Sequence, residues 1–327
     1  MVAVDILHLV GLGVTCLYVV ACSLAYCPKK GFFSSLLGYW PNALARSLRR
    51  GETHIIGLVL PDSANPFFAE VGRAIEATTF DVGYSIILCN TEGDCAKEQL
   101  YLDLLAEKQV DGVILVATGD CLDSLPALSR RMPIVAVDRE LPCAEIDAVL
   151  TDNRRGGYLA TQHLIDLGHQ RIACIAGPSH LTPSAERVVG YREALAHAGI
   201  ILDEAWLVRG DFHPESGRKV ALALLGRPDP ATAIFACNDL MAIGVLRAAA
   251  ESGYRIPGEL AVVGFDDIEL ASYTYPQLTS VMQPEEEMGR RAVQLLAERI
   301  ADRARPPRRE VLETALVVRE SSQATAR

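Results

Sequence analysis

From His54 onward, short apolar runs rich in β-branched residues alternate with amphipathic stretches. The runs read as strands at Ile55–Leu60, Ser85–Cys89, Gly112–Val116, Ile134–Val137 and Ala148–Thr151. A second series follows at Ile172–Ala176, Trp206–Arg209, Ala233–Ala236 and Ala261–Phe265. Helical spacing lies between them, at Phe67–Val82, Ala96–Gln109, Gly156–Leu167, Ala185–Ala198, Ser216–Leu225 and Asp239–Ser252. This alternation predicts βαβ units, and runs without polar alternation predict strands covered by helices on both faces. Gly83, Gly168, Gly199 and Gly253 follow predicted helix ends, where a left-handed cap favours glycine. Nine such strands are too many for one compact sheet. The pattern therefore predicts an α/β protein of two doubly wound, parallel-sheet lobes.

The first 54 residues do not share this pattern, and composition sharpens the contrast. The chain has 327 residues and a net charge of −10, which argues against nucleic acid if read as a total. The charge is uneven, however: residues 1–54 carry +3 and the rest −13. Ile6–Tyr26 is uncharged apart from His8 and long enough to cross a bilayer, and Val19-Val20-Ala21-Cys22 resembles a lipoprotein cleavage box. Against export, the only early charge is Asp5, and Lys29 and Lys30 follow the run, which would hold the body in the cytoplasm. Nine cysteines without close-spaced pairs fit neither a disulfide framework nor a zinc site and point to a reducing cytosol. Cys174 and Cys237 sit in apolar runs and read as small core residues.

Doubly wound sheets bind ligands beyond the carboxyl ends of their strands, so the residues just after each strand carry the functional signal. After the first strand come Asn65, Phe67 and Phe68, where one of the paired aromatics should face outward. Asp138-Arg139 follows the fourth strand and Asp152-Asn153 the fifth. In the second series Arg187 opens a helix, Phe212 follows Gly210-Asp211, Asn238-Asp239 caps a helix, Asp266 ends a strand and Gln283 precedes Pro284. Singly, each has a plainer reading, such as a cap or a surface ion pair. Together they suit a buried monosaccharide. Carboxylates accept from hydroxyls, arginine forks donate to neighbouring oxygens, amides do both, and phenyl rings cover C–H faces. Seven histidines pair with no recognisable nucleophile, and there is no G-x-S-x-G, P-loop or H-E-x-x-H, so neither catalysis nor a bound metal or cofactor is expected.

At these residues the chain resembles the periplasmic binding protein superfamily and, from about Pro41 to Ser322, the LacI/GalR family of transcriptional regulators. Three segments carry the resemblance: Tyr39 through Gly51, similar to the family's hinge helix; Ile56-Gly57-Leu58-Val59 through Phe68; and Val262 through Asp267 with Pro276–Val281 and Gln283-Pro284. It implies a type I periplasmic-binding-protein-like effector domain over 53–327, behind a helix-turn-helix-like head at 1–40 and a hinge helix and linker at 41–52. The N-lobe would hold about 54–152 and 283–312, and the C-lobe about 153–282 and 313–327. It further implies a cytoplasmic homodimeric repressor paired through the core lobes, with operator DNA and a sugar as partners. Cys89 through Asp94 and Asp266 through Ser272 look most like the ribose-responsive branch. The set Asn65, Phe67, Phe68, Asp138, Arg139, Arg187, Phe212, Asn238, Asp266 and Gln283 matches ribose-binding proteins, which implies D-ribose or a close pentose. A nucleobase, as in the purine-responsive branch, is a lesser option.

The hinge would place Leu48 as a minor-groove wedge, with Asn42, Ala45, Arg46 and Arg49 beside it on DNA. The head departs from the family pattern. Positions that would contact bases and phosphates hold Cys16, Leu17, Tyr18, Val19 and Val20, and no arginine precedes Arg46. Apolar contacts read little beyond thymine methyls. Three readings stay open: a wrong frame or start before about residue 39, a decayed reader, or a membrane anchor. The last leads to the alternative of a sugar-binding receptor or lipoprotein of a transport system, without DNA binding.

Overall fold

The computed structural model describes residues 52–119, 124–141, 143 and 145–323. The predicted head, the membrane-length run and the hinge residues Asn42, Ala45, Arg46, Leu48 and Arg49 lie outside the described residues. Two compact units divide the chain, Met1–Thr53 and His54–Arg327, and every strand described belongs to the second.

That unit is built on two six-stranded sheets. The first contains β1 (Ile55–Leu60), β2 (Ser85–Asn90), β3 (Gly112–Leu115), β4 (Ile134–Val137), β5 (Asp147–Thr151) and β11 (Arg309–Leu312), in the order β2-β1-β3-β4-β5-β11. All its pairings are parallel. The second contains β6 (Ile172–Ala176), β7 (Leu207–Arg209), β8 (Ala233–Ala236), β9 (Ala261–Asp266), β10 (Thr279–Met282) and β12 (Ala315–Val317), in the order β7-β6-β8-β9-β10-β12. Only β12 runs antiparallel, against β10. The helices are α1 (Pro66–Asp81), α2 (Cys95–Glu107), α3 (Leu125–Arg131), α4 (Asn153–Asp166), α5 (Thr182–His197), α6 (Pro214–Leu225), α7 (Asp239–Glu251) and α8 (Glu285–Ala301). This is the expected α/β class with two mostly parallel sheets.

Local chemistry accounts for the boundaries. Asn65 caps α1 by accepting from Phe67 N at 3.1 Å, Pro66 opens the helix, and Gly83 follows it at φ +82°. The other three predicted glycines also take positive φ after their helices. Strand interiors such as β3, β4, β6 and β8 are buried throughout, as helices on both faces require.

The apolar pattern did not reveal α3, α8 or strands β10 to β12. These elements complete the two sheets out of chain order. After β5 the chain crosses to the second sheet, returns through Gln283-Pro284 to α8, and crosses again between β11 and β12. Helix α8 lies against α1, where a Cβ on Gly289 would come within 2.6 Å of Ala74 Cβ. Trp206 ends a short 3-10 turn rather than starting a strand.

The cysteine reading needs one correction. Cys95, at the start of α2, is disulfide-bonded, so the expectation of no bridge fails there. Cys89, Cys143, Cys174 and Cys237 are free thiols. Cys174 and Cys237 are fully buried with their sulfurs 3.7 Å apart, and burial holds the Cys174 thiol well above its ordinary range. They are core residues, as expected.

Candidate functional site

The carboxyl ends of both sheets face a cavity of about 480 Å³, within the roughly 300–1,000 Å³ usual for small-molecule sites. Nine of the ten residues singled out from sequence line it: Asn65, Phe67, Phe68, Asp138, Arg139, Arg187, Phe212, Asn238 and Asp266. Gln283 does not. It is fully buried behind Asp266, donating from Nε2 to Asp266 Oδ1 at 2.8 Å and accepting from Thr151 Oγ1 at 2.7 Å. It orients a lining carboxylate rather than facing a ligand.

The first sheet supplies Asp138-Arg139 from the end of β4 and the α1 aromatics. Arg139 is held by donating from Nη1 to the carbonyls of Ala117 and Thr118. Its guanidinium lies 5.6 Å from the Phe68 ring centroid and its Nε 3.7 Å from Asp138 Oδ2. Behind it Glu98 is fully buried and accepts from Thr118 N at 2.6 Å. Phe67 and Phe68 pack with centroids 5.2 Å apart. The expected outward-facing aromatic is instead buried: both rings are less than a tenth exposed, while both line the cavity.

The second sheet supplies Arg187, Phe212, Asn238 and Asp266. Arg187 lies in the second turn of α5, which begins earlier than expected, at Thr182 with Pro183 in its first turn. Its Nε donates to Asn153 Oδ1 at 2.8 Å, and Nη1 to Cys237 O at 2.5 Å while lying 3.6 Å from Asp266 Oδ1. The guanidinium stacks 3.7 Å from the Phe265 ring centroid. Asn238 is both a cap and a wall: it accepts from Met241 N and donates to Phe212 O, each at 3.0 Å. The Phe212 ring lies against Gly177, where a Cβ would stand 2.2 Å from Cζ, so this glycine makes room for the aromatic.

Three lining residues adopt left-handed backbone: Asp138 at φ +67°, Phe212 at +69° and Asp266 at +110°. Such conformations cost on the order of 1–3 kcal/mol each and concentrate at ligand clamps. Here all three lie at or shortly after a strand end and line the cavity. Burial raises both carboxyl groups, against the opposing pull of the arginines. Asp266 is pushed up to about 7, and Asp138 rises as well. Burial lowers Arg139, countered by Asp138 and Glu98. The plainer reading of Asp138-Arg139 as a surface ion pair therefore fails: the pair is desolvated and lines the cavity.

Sequence reasoning missed Asp62, Glu92, Thr118, His180, Asp211 and His213 in the lining and Glu98 behind it. Several of these also follow strands, but nothing distinguishes them there from ordinary loop polar residues. Among the described residues, no group of histidine, cysteine and carboxylate side chains could hold a metal ion, and no helix is long and apolar enough to cross a membrane.

Residues 161–322 match the model of a periplasmic binding protein-like domain. The chain is 39% identical over 287 residues to the HTH-type transcriptional repressor PurR of Photobacterium profundum, covering 87% of this chain and 86% of that protein. It is 40% identical over 288 residues to the ribose operon repressor of Escherichia coli K12, covering 88% and 87%. Among solved structures it resembles the transcriptional regulator CelR in complex with cellobiose, at 37% identity and TM-score 0.77, covering 88% of each chain. A LacI family transcriptional regulator from Enterococcus faecium with bound ribose gives 31% identity and TM-score 0.75, covering 83% of this chain and all of that one.

Proposed function

The chain belongs to the LacI/GalR family of transcriptional regulators, and on that premise we propose that it is a sugar-responsive repressor whose effector is D-ribose or a related pentose. The observation that carries this reading is one cavity in which each half presents an aspartate, an arginine and phenylalanine, all buried except the half-buried Phe212. A pentose has hydroxyls enough to engage both ion pairs and C–H faces for Phe68 and Phe212. A purine base would rely more on ring stacking and leave more of these polar groups without partners, which is costly when they are buried. The ribose-linked names among the similar proteins support the same choice.

The sugar would bridge the two sheets and draw them together, changing the spacing of hinge segments. The proposed DNA contacts are Asn42, Ala45, Arg46, Leu48 and Arg49. To switch the chain fully, the sugar must favour one state over the other by about 5.5 kcal/mol. A homodimer belongs to the same reading. Strand β2 is a sheet edge, and Leu88 on it and Leu100 and Leu104 on α2 remain exposed, apolar surface suited to a second copy.

Calorimetric titration of D-ribose against wild type and Arg139→Ala tests the effector. Saturable binding that the variant loses is expected. Equal affinity in both, no binding in either, or a purine base binding in place of the sugar overturns the assignment. Recovery of the chain from the membrane or periplasm on fractionation would favour the transport receptor instead.

A further inference from the structure

A second cavity, of about 380 Å³, opens at the opposite end of β4: Ile134 lines it, whereas the effector cavity begins at Asp138. Its walls come from the end of α3, the end of α8 and the loop after it. They carry four arginines, Arg130, Arg299, Arg303 and Arg305, and one acidic residue, Glu145. Beneath them Asp147 is fully buried and takes both Arg299 and Arg305 as ion-pair partners.

The charges do not balance. Asp147 accepts from Arg299 Nε at 2.9 Å, from Arg305 Nη1 at 2.9 Å and Nη2 at 3.0 Å, and from Arg308 N at 2.8 Å, so its capacity is used. Even so, Arg299 Nη2 and Arg305 Nε are buried with no acceptor among the described residues. Arg130 and Arg303 are exposed and have no ion-pair partner among the described residues. Four cations face two carboxylates. The carbonyl ends of α3 and α8 offset about one more charge, which leaves the cavity positive. Guanidinium groups around a concave surface are the usual means of holding phosphate oxygens.

We propose that this cavity binds a small phosphate dianion, either free or as a monoester of a small metabolite. Buried Arg299 and the mostly buried Arg305, both fixed by Asp147, form the floor, and Arg130 and Arg303 close on the ligand from the rim. The volume exceeds that of a bare oxyanion and admits a short organic group. The site is independent of the sugar cleft, so it stands or falls separately from the effector assignment.

The test uses the full chain in a zwitterionic buffer with inorganic phosphate, glycerol phosphate, and sodium chloride at matched ionic strength. Calorimetry and the thermal midpoint are the readouts. Wild type should bind at least one of the two phosphates saturably, and the tighter one identifies the source. The double variant Arg130→Glu with Arg303→Glu should weaken that binding at least about tenfold. Both side chains are exposed, so its midpoint without phosphate should match wild type, and Arg303→Gln, which removes one charge gently, should give an intermediate loss. No saturable response to either phosphate, equal binding in wild type and double variant, or a response reproduced by chloride would overturn the proposal.

Discussion

The two halves of the cavity between the sheets, the proposed effector site, use the same residue types and leave them in different conditions. In the second-sheet half, Arg187 and Asp266 are satisfied by protein: Asn153 and Cys237 accept from Arg187, Gln283 donates to Asp266, and Phe265 backs the guanidinium. In the first-sheet half, Asp138 Oδ1 and Arg139 Nε are buried without a hydrogen-bond partner among the described residues, and only the 3.7 Å ion pair joins the two side chains. One half is a preorganised floor, and the other holds groups whose best partner is a ligand. Chemically identical pairs can therefore divide the work of a cleft, one fixing geometry and the other responding to what enters.

Removing Arg187 tests this contrast most severely. Arg187→Ala leaves Asp266 buried beside no cation, and breaking a buried pair this way costs about 3–5 kcal/mol. Denaturant unfolding is expected to show that loss, and calorimetry no ribose binding. Arg139→Ala is expected to abolish binding with a smaller loss of stability, because Arg187 still offsets Asp138 and Thr118 still donates to Glu98 when Arg139 is gone. Equal destabilisation by the two would erase the distinction between floor and responder.

The pH dependence follows from Asp266. Its carboxyl, pushed up to about 7 in the folded chain, titrates near 3.9 when exposed. Between those values the folded chain holds a proton that the unfolded chain has released. This group therefore lowers stability as pH rises through that window and adds no further change above it. Ribose hydroxyls need the ionised acceptor, so affinity is expected to tighten as pH rises through about 7. Asp266→Asn should bind about tenfold or more weakly and lose that slope. A slope that survives in this variant would assign it to Asp138.

Aromatic cover gives a smaller effect. Phe212→Leu keeps apolar bulk but removes the ring, with an expected cost of about 1 kcal/mol, or several-fold in affinity. The smallest change is expected from Thr151→Val, which removes one hydrogen bond to Gln283 two steps from the ligand. About 1 kcal/mol of stability and no more than a few-fold change in ribose affinity are anticipated. A large loss of binding with Thr151→Val would mean that Gln283 controls the cleft more directly than its position behind Asp266 suggests.

Local chemistry made much of this legible in the chain. β1, β4, β6 and β8 end where their apolar runs end, and glycines at 83, 168, 199 and 253 mark helix ends because only the local backbone decides those features. The rule that ligands sit beyond strand ends was enough to select nine lining residues. Elements completing the sheets from distant chain segments were not legible. Strands β11 and β12 are short, half-exposed edge strands, so neither burial nor alternation distinguishes them.

What the sequence determined by itself was the alternation, the class of fold and the inventory of charges and rings, since each depends on residue type and near neighbours. Only tertiary structure decided how that inventory was used. It turned Asp138, Phe212 and Asp266 into left-handed backbone over the cleft and moved Gln283 behind the wall. It also gave Arg187 a buried set of partners from three separate segments. The physical reason is common to all three. Desolvation and hydrogen-bond partnership are properties of a place in space, and residues as far apart as 151 and 283 come to share one only when both sheets have formed.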